Sequence, residues 1–101
     1  GLPRVKIQPG QSIVVKGRTL EAGRVHIGFA TNHWEGGFAG KFASYHPVSG
    51  SEFEIELPLE EMTRTKPRFA TLPNGQEMIY LWVQSVHKDI GLEIESAQLL
   101  P

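Results

Sequence analysis

The chain contains no cysteine. That excludes a disulfide scaffold and a thiolate metal centre. Aspartate is nearly absent too: Asp89 is the only one. Ser-His-Asp catalysis therefore has one acid to draw on, and no Gly-x-Ser-x-Gly elbow accompanies it. No apolar run approaches the ~20 residues of a membrane span, and no stretch has the form of a signal peptide. Neither sign of charge is in excess: ten basic and eleven acidic residues give a formal charge of -1. DNA and RNA binding want a clustered basic surplus, and a membrane surface wants a polybasic patch. Neither partner is expected.

What remains is the profile of one globular domain. The chain has 101 residues, of which 40% are hydrophobic, and a chain of this length buries one core. Gly1, standing where an initiator Met would be, implies a domain cut from a longer protein.

Apolar residues alternate instead of recurring at helical spacing. Val5 and Ile7 begin the pattern, and Pro9-Gly10 marks a turn. A β-branched run from Ile13 ends near Thr19. Glu21-Ala22-Gly23 reads as a tight turn into a strand from Arg24 to Thr31, with Val25, Ile27 and Phe29 on one face and His26, Gly28 and Ala30 on the other. This pattern predicts a hairpin. Asn32 to Gly40 holds three glycines and reads as a loop or irregular edge. Lys41 to His46 is a short strand, and Pro47 to Ser51 a turn.

Glu52 to Leu57 carries the cleanest alternation: Phe53, Ile55 and Leu57 against Glu52, Glu54 and Glu56. That is a half-buried antiparallel strand with a solvated face. Leu59 to Thr65 reads as loop, Arg68 to Leu72 as a short strand, and Pro73-Asn74-Gly75 as a hairpin turn. Met78 to Val86 is apolar on both faces, as a central strand would be. Gly91 to Leu99 closes the chain, with Leu92 and Ile94 inward and a slip of phase near Ser96 that predicts a bulge. About seven or eight short strands with turn signals every 8–12 residues or so define an all-β, two-sheet antiparallel β-sandwich or barrel.

The segment Pro9-Gly10-Gln11-Ser12-Ile13-Val14-Val15-Lys16-Gly17-Arg18 resembles the opening of many jelly-roll carbohydrate-binding modules. The strands Arg24 to Thr31 and Glu52 to Leu57 fall where those modules have theirs. Gly91-Leu92-Glu93-Ile94-Glu95-Ser96-Ala97-Gln98-Leu99 looks like their closing strand. The same segments are more loosely similar to galectin-like and concanavalin-like folds. The galectin sugar motif, His-x-Asn-Pro-Arg with a downstream Trp-x-x-Glu, is absent. The resemblance implies a jelly-roll sandwich and a non-catalytic accessory module in an extracellular or cell-envelope protein. Jelly-roll modules often carry a structural calcium; here such a site would rest on glutamates and backbone carbonyls. No cofactor is expected.

Trp34 is the most informative single residue. An indole in a Gly-rich polar loop either stacks on the apolar face of a sugar ring or folds back to cap the sandwich. In the first case Asn32, His33, Glu35 and Tyr45 would bond hydroxyl groups, with Arg18 and Lys41 added for an acidic glycan. Tyr80 and Trp82 share one face of their strand. Core packing is the expectation for both, and a groove lined by them is the alternative. His26, His33, His46 and His87 show no metal-ligand spacing. The carboxylates of Glu52, Glu54 and Glu56 form a solvated stripe that also guards an edge strand. Gly36-Gly37 with Gly40 lacks the Lys-Ser or Lys-Thr of a phosphate loop. The competing expectation is a structural or protein-interaction sandwich that docks neighbouring domains of its parent protein.

Overall fold

The computed structural model describes residues 5–8, 10–32, 38–61, 63–66 and 77–101. Among these, the chain is a two-sheet antiparallel β-sandwich. Its strands are β1 (Val5–Lys6), β2 (Ser12–Arg18), β3 (Ala22–Asn32), β4 (Phe38–Ser49), β5 (Glu52–Pro58), β6 (Thr63–Lys66), β7 (Glu77–Ser85) and β8 (Glu93–Leu100). A single 3-10 turn, Leu59–Glu61, follows β5. No described helix is long and apolar enough to cross a membrane.

One sheet has five strands in the order β1-β7-β3-β4-β6; the other has three, β5-β2-β8. Five of the links between successive strands pass from one sheet to the other, whereas β3 and β4 pair directly within one sheet.

Period-2 alternation builds the core, because successive side chains leave opposite faces of a strand. Ile13 and Val15 of β2, Val25, Ile27 and Phe29 of β3, Phe42 and Val48 of β4, and Leu57 of β5 all point between the sheets. Ile7, Leu59 and Ile90 close the ends. Phe29 and Phe42 are paired in register, and their rings stack with centroids 5.1 Å apart. Such cross-strand aromatic pairs are the local unit of sheet stability.

β5 follows its predicted alternation, with Glu52, Glu54 and Glu56 outward. The predicted bulge is present beside Ser96: Lys16 pairs with Ser96 but Gly17 with Ile94, so Glu95 is the extra residue. Gly17 permits it, since a Cβ there would run into the Glu93 carbonyl. Ile94 shares the inward register of Gly17 but remains partly exposed at the end of the sandwich.

Several expectations are corrected. β2 and β3 do not form a hairpin; they lie in different sheets. The link between them is held by distant backbone: the N–H groups of Leu20 and Glu21 donate to the Ile90 carbonyl at 2.9 and 3.2 Å, and Thr19 N–H donates to Ser51 O at 3.2 Å. β4 runs on through Pro47 to Ser49. Pro47 is tolerated because, among the described residues, β6 pairs only with Lys41 to Ala43 and no ladder partner awaits the missing N–H on that side. The stretch after Leu59 is not all loop, since β6 begins at Thr63. β7 is an interior strand, as expected, paired to β1 on one side and β3 on the other. The predicted strand at Arg68 to Leu72 and the Pro73-Asn74-Gly75 turn lie outside the described residues.

Candidate functional site

The outward face of the five-stranded sheet is built by the residues of β3 that alternate with its core set: Arg24, His26, Gly28, Ala30 and Asn32. Their cross-strand partners are Tyr45, Ala43 and Lys41 on β4, opposite His26, Gly28 and Ala30. On β7 the partners are Gln84, Trp82 and Tyr80, in the same order.

Gly28 decides the shape of this face. It offers no side chain, and the Trp82 ring lies across it: a Cβ at Gly28 would overlap Cζ2, Cε2 and Cη2 of the indole. Leu81 and Val83, the neighbours of Trp82, pack on the core instead. Trp82 therefore faces away from the second sheet, and the expectation that it packs in the core is overturned.

Beside it, the His26 ring stacks on Tyr45 with centroids 4.5 Å apart and planes 15° apart. His26 also meets Trp82 edge-on, at 6.0 Å and 64°. The Arg24 guanidinium carbon lies 5.3 Å from the Tyr45 ring centroid, within cation–π range. Tyr45 is 57% exposed, which leaves most of its surface to solvent. The result is a row of Arg24, Tyr45, His26 and Trp82 across three strands.

The Gln84 amide nitrogen lies 3.4 Å from His26 Nδ1. An amide N–H donates, so Nδ1 accepts and the ring proton sits on Nε2. Burial lowers the His26 pKa from its ordinary value near 6.5. His46, whose Nε2 lies 2.7 Å from Ser44 Oγ, is lowered for the same reason. Between the lowered folded values and about 6.5, the unfolded chain binds more protons than the folded one. These groups thus support folding above pH ~6.5, and that support is lost as pH falls through the folded pKa values. The melting temperature is expected to drop between pH 6.5 and 5, and His26→Gln with His46→Gln to flatten the slope. A melting temperature that rises over this interval would refute the assignment.

Ser44 and His46 make a contact of the kind hydrolases use, but among the described residues no carboxylate bonds the other ring nitrogen to orient it. No three His, Asp or Glu side chains converge on a metal position among the described residues.

The three-stranded sheet has a cleft of about 610 Å³ lined by Lys16, Arg18 and several glutamates, together with Gly17, Phe53 and Ile94 of the inward register. Its cations are already engaged: Lys16 Nζ lies 3.4 Å from Glu54 and Arg18 Nε 2.7 Å from Glu93. Both pairs are well exposed, so solvent screens them and they add little to stability. This is a charge ladder on a solvated face. The aromatic face is the stronger candidate, because large apolar rings held at a solvent-facing surface mark recognition sites.

Of the residues expected from sequence, Tyr45 belongs to this face. Asn32 is half-buried on the same face at the other end of β3, six residues beyond His26, or roughly 20 Å away. Lys41 is on this face, opposite Ala30. Arg18 is on the other sheet. His33, Trp34 and Glu35 lie outside the described residues. The sequence reading missed His26, Arg24 and the outward turn of Trp82. One signal was available: a glycine inside a strand often marks close approach of another group, and Gly28 sits in the middle of one.

Comparison with protein-family models, with curated proteins and with solved structures finds no match to this chain.

Proposed function

We propose that this domain is a non-catalytic carbohydrate-binding module whose sugar-facing surface is the outward face of the five-stranded sheet. The observation that carries the reading is the row of Tyr45, His26 and Trp82 held side by side at that face. Sugar rings present flat C–H faces that pack on aromatic rings, while their hydroxyl groups need a few placed donors and acceptors. Gln84, Arg24 and Asn32 supply these. Trp34, His33 and Glu35 remain further candidates on the strength of the sequence alone. The setting that fits is an accessory domain of an extracellular or cell-envelope protein.

A panel of soluble polysaccharides tests the reading by affinity electrophoresis, with Tyr45→Ala and Trp82→Ala beside the wild type. Retention by at least one polysaccharide is expected. Each substitution should weaken it by about tenfold or more, the scale of an aromatic hot spot, with thermal melts showing both variants folded. No retention on any polysaccharide would remove the reading. A second reading, a domain that docks a neighbouring protein domain, is favoured by one observation: Leu20 is 80% exposed, beside Gly91 at the end of the sandwich.

A further inference from the structure

Charge is divided between the two outward faces. The three-stranded sheet carries Glu52, Glu54 and Glu56 on β5 and Glu93 on β8, with Lys16 and Arg18 paired among them. On the five-stranded sheet, the charged side chains described on the outward face are Arg24 and Lys41, both basic. By register Glu77 also falls on this face, opposite Asn32 at the end of β3 away from Arg24, so the basic character is local to the Arg24 and Tyr45 end.

Arg24 is the cation next to the rings. Its guanidinium rests near Tyr45 and, among the described residues, forms no ion pair with a carboxylate. A guanidinium has five N–H donors in a planar fork that matches a carboxylate or a sulfate. The Tyr45 ring holds one side of this group and leaves the rest for a ligand.

We infer that the ligand is an anionic polysaccharide, with a ring carboxylate or sulfate ester bound by Arg24 while the sugar packs on Tyr45. This rests on the carbohydrate-binding reading and adds the substrate class to it. Arg24 is the specificity-determining residue: the rings bind any sugar face of suitable shape, and the guanidinium selects the charged one.

The test uses matched polymers. Polygalacturonate is compared with its fully methyl-esterified form, and κ-carrageenan with agarose, by affinity electrophoresis and calorimetry on the wild type, Arg24→Gln, Arg24→Lys and Lys16→Gln. At least one charged polymer should bind about tenfold or more tightly than its neutral counterpart, as a charge-assisted bond predicts. Arg24→Gln should remove most of that difference, weakening retention on the charged polymer far more than on the neutral one. Arg24→Lys should restore part of it, and Lys16→Gln, on the opposite sheet, should do nothing. Preference for polygalacturonate identifies the carboxylate, and preference for carrageenan the sulfate. Equal binding of charged and neutral polymers, or a charge preference that survives Arg24→Gln, overturns the inference and leaves the carbohydrate module standing. Absence of binding to all four polymers and to the wider panel overturns both.

Discussion

Phe29→Ala is expected to destabilise the domain by about 3–5 kcal/mol, the range for an aromatic truncated in a closed core. Phe29 is fully buried, lies in the middle strand of the five-stranded sheet, and stacks on Phe42. β4 and β7 flank it on both sides. The sheet therefore cannot collapse into the space, and the cavity remains. Domains of this size have about 5–15 kcal/mol in all, so one side chain removes a large part of the total. Urea unfolding provides the measurement: the midpoint should fall sharply while the m-value stays near that of the wild type. Phe29→Leu, which refills part of the volume, should lose distinctly less. A loss below about 1 kcal/mol for the alanine variant, far under the buried-aromatic range, would show that Phe29 is not in a rigid core. Exposed ion pairs such as Arg18–Glu93 do not compensate, since solvent screens them.

The sandwich was legible in the sequence because burial on one face writes itself as alternation. Glu52 to Leu57 and Val25 to Phe29 needed no tertiary information: their own spacing separates core from solvent. Connectivity was not legible in the same way. A short turn near Glu21 suits a hairpin and a crossing between sheets equally well. The choice was made by the Ile90 carbonyl, about seventy residues away along the chain, which accepts from Leu20 and Glu21. Pro47 gave a turn signal, but an edge stretch of β4 absorbs it. The aromatic face was hidden for a related reason. Apolar residues on both faces of β7 say that both are covered, without saying by what. Only the register that sets Trp82 against Gly28 shows that one of those faces turns outward. The charge division is likewise a property of two sheets, and a linear count near zero conceals it.

Gly28→Ala tests that register directly, and the expected effect has two parts. The new methyl group would enter the space of the Trp82 six-membered ring. The backbone of β3 cannot retreat, because Ile27 and Phe29 anchor it to the core on the other side. The indole must swing off the face. Overpacking of this kind costs about 1–3 kcal/mol, with several degrees lost in melting temperature. Trp82 fluorescence, read in a Trp34→Phe background, should shift to the red as the ring enters water. Polysaccharide retention should fall as far as it does in Trp82→Ala. The double variant separates the causes. With Trp82→Ala present, Gly28→Ala has no ring to displace. Alanine in an extended strand restricts the unfolded chain more than glycine does, so the substitution should then become neutral or stabilising by up to about 1 kcal/mol. A reversal of sign across the cycle is the signature of a steric contact between these two residues. Equal destabilisation with and without Trp82 would place the constraint in the β3 backbone, and the indole would have no claim to Gly28. If the reversal is found, the platform owes its flatness to a missing side chain: β3 leaves a gap between His26 and Ala30, and the largest ring of β7 fills it from the neighbouring strand.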